Sequence, residues 1–323
     1  MGADQRQSVR STAASAPSRA RTSPLRRGEL VQVRSRAEIA ATLDADGTRG
    51  GLPFMPEMLA FCGQTLRVAR RADKVFHDHH LYVGRLHDTV LLESARCDGS
   101  AHDGCRMGCQ LLWSEAWLRR ADVSPNGAEP ADDAPPTSLE LPVLQADRYV
   151  CQATQLESIS TPLPWWDVRQ YARDLRFRDA PLDRWAGMIG LLATNKLRRA
   201  VGLSAVGSVR GTSESAPDTQ RVAMQPGDRV RVRSLDAIRT TLDERGRHRG
   251  LRFQPEMRNF CGQELQVAHR VDRLIVEWTG QLRRLTDTVA LEDVTCQGIA
   301  FRNCPRNCYH LWREAWLELI DSK

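Results

Sequence analysis

The run Cys97-Asp-Gly-Ser-Ala-His102-Asp-Gly-Cys105-Arg-Met-Gly-Cys109-Gln-Leu-Leu-Trp113-Ser-Glu-Ala-Trp117 sets three cysteines ahead of a Trp-rich segment. A fourth cysteine lies upstream in Phe61-Cys62-Gly63-Gln64. The same four return as Cys261, Cys296, Cys304 and Cys308, in the same C-x7-C-x3-C spacing. A constant shift of 199 positions aligns residues 28–118 with 227–317 without a gap, and close to half of the pairs are identical. Self-similarity of that length is a duplicated domain.

Within each copy, Val31 and Val33 (Val230 and Val232) alternate with polar residues, as in a half-buried strand. Gly47, Gly51 and Pro56 mark an irregular loop. Residues 66–73 and 265–277 read as a second strand, with Thr279-Gly280 as a hairpin turn, and residues 89–93 as a further strand ending at Cys97. After Cys109, Leu112, Trp113, Ala116 and Trp117 fall at i, i+1, i+4 and i+5, which predicts a short helix. The fold expected is mixed α+β, mostly β: two small SH3-like barrels, each with a four-cysteine loop and a Trp-rich helix, related by a pseudo-twofold.

Around the repeats, residues 1–27 are a basic tail rich in Arg, Ser and Ala, with the composition of a disordered segment or a transit peptide. Repeat 1 occupies 28–121, an acidic Pro/Ala linker 122–141, a helical insert 142–202, a Ser/Gly linker 203–226 and repeat 2 residues 227–321. In the insert, Leu182, Trp185, Met188, Ile189 and Leu192 share one face of a helix over 181–200, with Lys196, Arg198 and Arg199 at its C-terminal end. That helix reads as docked on a barrel, with a membrane-surface or partner role as the alternative.

The chain carries 46 basic and 40 acidic residues, net +6, and the positive charge is not gathered in the folded parts. Nucleic acid is therefore a poor fit as a partner. No apolar run approaches the length of a membrane span, and no apolar signal core precedes the repeats. The expected setting is cytoplasmic, where thiols stay reduced and spaced cysteines read as metal ligands rather than disulfides.

On that reading Cys62, Cys97, Cys105 and Cys109 form one metal site and Cys261, Cys296, Cys304 and Cys308 another. Zinc and an iron–sulfur cluster both suit four thiolates, and the C-x3-C pair at an expected helix start leans toward iron–sulfur. Candidate catalytic residues are His102, whose counterpart is Phe301, together with Glu57 and the unrepeated Cys151, a possible nucleophile or sulfur carrier. Glu57 with Arg71 and Asp73 could bind substrate but reads rather as a buried pair that holds a loop, and Glu115 between two tryptophans belongs to the same scaffold. His77, His79 and His80 form a cluster on a hairpin without counterparts in repeat 2. Small residues in the 97–105 loop, with Gly104 and Gly108, suggest an open first site, and the bulkier second loop a closed structural one. No phosphate loop, dinucleotide fingerprint, G-x-S-x-G or H-E-x-x-H occurs.

The motifs Pro53-Phe-Met-Pro-Glu-Met-Leu-x-Phe-Cys-Gly-Gln64, Cys97-Asp-Gly-Ser-Ala-His-x-Gly-Cys-x-x-Gly-Cys109, Cys151-Gln-Ala-Thr154 and Trp166-Asp-x-Arg-Gln-Tyr-x-Arg-Asp174 resemble a bacterial family without an assigned activity. The likeness covers residues 29–320. It implies proximity to polysaccharide or specialised-metabolite biosynthesis genes. The function expected is therefore a metal-binding tandem-repeat protein of a biosynthetic pathway, as a metalloenzyme or electron-transfer component. The alternative is a zinc-stapled scaffold for a partner protein or glycan. The partner is a small-molecule substrate or a protein.

Overall fold

The computed structural model describes residues 23–121, 139–177, 181–203, 208–211 and 223–320. Nearly all of the tail and much of both linkers lie outside these residues. The fold is mixed α+β. In repeat 1, strands Thr89–Arg96, Thr65–Arg71 and Leu30–Val33 form the middle of an open five-stranded antiparallel sheet, with Gln110–Ser114 and Leu118–Arg120 at its edges. Repeat 2 builds the same order from Trp312–Arg313, Thr288–Leu291, Glu264–Arg270, Arg229–Val232 and Leu317–Leu319. Helix α1 (Arg36–Ala40) follows the first strand, where Ser35 and Glu38 close a reciprocal capping box.

Each sheet wraps around paired tryptophans. Trp113 and Trp117 are buried, Phe54 meets Trp117 edge-on at 5.2 Å, and the Trp117 indole N–H donates to Thr42 Oγ1. Phe253, Trp316 and Thr241 repeat the arrangement. No helix follows Cys109: Gln110–Ser114 is a strand, Glu115–Trp117 a 3-10 turn and Leu118–Arg120 a strand again. The i, i+4 spacing of the tryptophans arises because that turn brings the chain back to the same core. Leu111, Leu112 and Trp113 are all buried, since the insert covers the face that alternation would leave to water.

The segments assigned to tail and linkers reach into these cores. Leu25 is buried, and its backbone N–H and C=O are held by Glu115 and Arg71. Met224 is held in the same way by Glu314 and Arg270. Arg71 also grips Asp73 through two bonds of 2.9 Å and bonds the Glu115 carboxylate. These residues hold chain ends onto the sheets.

The insert comprises α2 (Gln152–Ile159), α3 (Arg169–Phe177) and α4 (Leu182–Ala200). Strand Thr161–Pro162 adds to the hairpin Lys74–His77/Tyr82–Arg85 of repeat 1. Ion pairs Lys74–Asp174, Arg85–Asp167 and Arg173–Asp73 fasten α3 and its approach to the same repeat. Helix α4 packs against the 3-10 turn Ile299–Phe301 of repeat 2. Among the described residues no helix is long and apolar enough to cross a membrane.

Candidate functional site: a thiol-lined cavity between the repeats

The two cysteine loops, each bonded to a glutamate of its own repeat (Glu57, Glu256), also reach across to the other repeat. Each docks on the hairpin of the other. Ile275 N–H donates to Cys105 Sγ (3.4 Å), and Phe76 N–H donates to Cys304 Sγ (3.2 Å). These pairs interchange under the 199-residue shift, so the repeats meet across a pseudo-twofold. Arg106 N–H pairs with Arg273 C=O (2.9 Å), while Arg96 reaches Asn307 C=O (3.0 Å) and lies over the Tyr309 ring.

A cavity opens beside this junction. Its walls include Cys97, Cys105 and Cys109 of repeat 1, Cys151 of the insert and Cys308 of repeat 2, with Met55, Met107, Leu156 and Ile275 as apolar neighbours. None of the nine cysteines is joined to another in a disulfide. Burial pushes the Cys97 thiol far up, and the Glu57 carboxylate adds to the shift. Burial raises Cys109 well above the ordinary range too, with Cys308 as its next-largest neighbour effect.

Cys151 caps the N-terminus of α2, where bonds from Thr154 and the helix amides pull its pKa down. Burial outweighs them, and the net shift is upward. Cys97, Cys105 and Cys109 all act electrostatically with Cys151, which places the unrepeated cysteine among them.

Gln152 fixes that placement. Its side-chain amide accepts from Leu112 N–H (2.7 Å) and donates to Leu112 C=O (2.8 Å), pairing with the edge strand as a neighbouring strand would. A second donation reaches Pro53 C=O. In the sequence Gln152 is marked only by its place in the Cys151-Gln-Ala-Thr154 motif.

His102 lines the cavity with both ring nitrogens engaged, Nδ1 by Glu57 Oε1 (2.5 Å) and Nε2 by the Val150 carbonyl (3.1 Å). Two acceptors call for an imidazolium, because a neutral ring donates only once. Burial opposes that charge, but the bonds to Glu57 and Val150 outweigh it and the pKa is raised. Glu57 is correspondingly lowered, His102 overcoming the cost of burial. The pair therefore ties the 97–105 loop to repeat 1 and to the insert. Arg306, also on the cavity wall, is half-buried in an ion pair with Glu277 (2.8 Å). Its counterpart in repeat 1 is Met107, so the charge is peculiar to repeat 2.

The metal reading is overturned. Among the described residues no group of three or more His, Cys, Asp or Glu side chains is placed to hold a metal ion. Neither an iron–sulfur cluster nor zinc, whether as a catalytic centre or as a staple, has its donor set. The expected quartets are split. Cys62 ends the 3-10 turn Pro56–Phe61 and packs on the repeat 1 core, away from the cavity walls. Cys261 packs on the repeat 2 core beside Arg258. Cys296, raised by burial and Glu256, interacts with Cys304 and Cys308. Comparison with protein families, characterised proteins and solved structures finds no match to this chain.

The glycines have a backbone role. Gly104 and Gly108 have φ of +69° and +58°, and their counterparts Asn303 and Asn307 have +58° and +49°. Asn is the side-chain-bearing residue that tolerates this region well, so both loops have the same shape without reference to a ligand. Gly99 is the strict position. At φ +71°, a Cβ there would lie 2.1 Å from the Cys105 carbonyl oxygen. Gly99→Ala should cost more than about 2 kcal/mol, read as a lowered urea midpoint, and an unchanged midpoint would mean that the loop relaxes freely.

Of the three hairpin histidines, His79 and His80 meet edge-on at 4.6 Å, and each of the three has a different further partner. His77 is bonded to Ser160 Oγ (2.9 Å), His79 stacks on Trp278, and His80 faces Glu157.

Proposed function

We propose that the cavity is a dithiol–disulfide site for a small disulfide-containing molecule, with Cys105 and Cys151 as the working pair. The observation that carries this reading is the convergence of five thiols from both repeats and the insert on one cavity. The chemistry is a two-electron exchange. Two protein thiols and a substrate R–S–S–R′ give one protein disulfide, R–SH and R′–SH. The two thiol protons end on the released sulfurs.

Cys105 is the entering sulfur, because Ile275 N–H points at it and a donor aimed at sulfur stabilises charge that develops there. Cys105 releases R′–SH and holds R as a mixed disulfide; Cys151 then attacks the Cys105 sulfur, R leaves as R–SH, and the Cys105–Cys151 disulfide remains. The direction follows from burial. Strong oxidants of this class have a stabilised thiolate in their reduced form. Here burial disfavours the thiolates of Cys97, Cys109 and Cys151, so the reduced protein is an electron donor. His102 and Glu57 position the loop that carries Cys105.

Oxidation of the native protein with diamide, alkylation and mass-spectrometric mapping tests the reading. A Cys105–Cys151 disulfide is expected, lost in Cys151→Ser while far-ultraviolet circular dichroism stays unchanged. If every cavity thiol is alkylated after oxidation of the folded chain, the exchange reading falls. A second reading rests on the same burial: protonated thiols serve as small apolar wall groups, and the cavity holds an apolar ligand without covalent chemistry. In the same terms we read each repeat as an SH3-like barrel, supported by its strand order and by the 3-10 turn before the last strand.

A further inference from the structure

We propose that the insert carries a docking face for an anionic lipid surface, centred on Trp165 and Trp166. This inference is independent of the thiol chemistry. In the turn ahead of α3, Trp165 is 55% exposed, Trp166 66% and Val168 71%. Three large apolar side chains turned outward within four residues exceed the scattered exposure of an ordinary surface. The turn is built rather than loose. The Tyr171 hydroxyl donates to the Trp165 carbonyl (2.8 Å), and Asp167 is gripped by Arg169 (2.9 Å) and Arg85 (2.6 Å).

The C-terminal end of α4 joins the same face. Lys196 Nζ stands 4.3 Å from the centre of the Trp165 ring, and the next residue, Leu197, is exposed, as is Val201 one turn on. The carboxylate of the turn, Asp167, is buried and neutralised by its two arginines, so the face offers apolar groups and cations. That combination fits the boundary of an anionic bilayer. Indoles settle at headgroup depth, aliphatic side chains enter the acyl region, and lysine and arginine reach lipid phosphates. A purely apolar partner groove would leave the cations unmatched.

The test is co-sedimentation of the full chain with vesicles of phosphatidylglycerol and phosphatidylcholine, against phosphatidylcholine alone. Binding to the anionic vesicles is expected, weakened by salt at about 0.5 M and by about tenfold or more in Trp165→Ser/Trp166→Ser. The thermal midpoint of that variant should match the parent, since neither indole is in a core. Lys196→Glu should remove the preference for anionic lipid. Absence of binding to anionic vesicles, or equal binding by parent and double variant, overturns the proposal. A dimer in light scattering that dissolves in the double variant also overturns it, and assigns the face to a second copy of the chain.

Discussion

Arg71→Met should destabilise the protein by about 3–5 kcal/mol, one of the two largest single-site effects expected here. The Arg71 side chain is 1% exposed, and its carboxylate partners are exposed by less than a fifth, so water can replace little of what it supplies. It satisfies the Asp73 carboxylate through two bonds, one Glu115 oxygen and the Leu25 carbonyl. Burial alone would discourage its charge, yet Asp73 and Glu115 raise its pKa well above the ordinary value. Methionine fills similar volume but leaves Glu115 without its cation and Asp73 with Arg173 alone, and it releases the segment around Leu25.

Arg270→Met removes the matching staple in repeat 2. There the arginine is 31% exposed, so water can replace part of the loss and a smaller effect is expected. Urea unfolding of both variants measures the difference. Equal and small shifts would show that the ion pairs are dispensable.

The second large effect depends on pH and centres on His310. This ring is 1% exposed, neither nitrogen has a hydrogen-bond partner, and Glu256 at 3.8 Å is too far to supply one. Burial pushes its pKa down to about 4, against 6.5 as an ordinary histidine. The native state therefore stays neutral where the unfolded chain is already protonated. Between pH 6.5 and 4 the unfolded state binds more protons, so stability falls as pH falls, by about 1.4 kcal/mol per unit and about 3 kcal/mol in full.

Repeat 1 has Leu111 at the matching position, and His310→Leu should flatten the acid limb. His102, raised by Glu57 and Val150, works the other way. Its contribution is complete below the ordinary histidine value and fades as pH rises through the folded one. Because the variant leaves His102 in place, thermal midpoints of parent and His310→Leu at pH 7.5 and pH 5 isolate the His310 contribution. A variant that remains as acid-sensitive as the parent would place the loss at another group. At pH 7.5 the replacement also removes a buried N–H without an acceptor, so no loss of stability is expected there.

The duplication was legible because two copies of one fold need the same core, and Val31, Phe54, Trp113 and Trp117 return at constant spacing as Val230, Phe253, Trp312 and Trp316. The repeat also marked Arg71, Asp73 and Glu115 as scaffold residues, but it set Glu57 beside the arginine, whereas Arg71 bonds Glu115 and Glu57 bonds His102. The helix expected after Cys109 was misread because period alone cannot tell a helix from a strand buried on both faces. Only the docked insert, with Gln152 bonded to Leu112, explains why Leu111, Leu112 and Trp113 are all hidden.

The cysteines separate what the chain alone determined from what the tertiary structure decided. Local sequence determined the loops themselves: Gly99 and Gly298, with Gly or Asn at 104, 108, 303 and 307, dictate a backbone that turns in the left-handed region. It could not determine where the thiols point. Recurrence of the four cysteines in both repeats suggested that Cys62 would join Cys97, Cys105 and Cys109, yet Cys62 packs on the repeat 1 core and is not among the cavity-lining residues. The place beside the other three is taken by Cys151, which the repeat does not contain, and by Cys308 of the other copy. That grouping depends on the exchange of loops across the pseudo-twofold and on the docking of α2. Both are contacts between residues far apart in the chain, set by the complementarity of whole surfaces, and no local pattern encodes them.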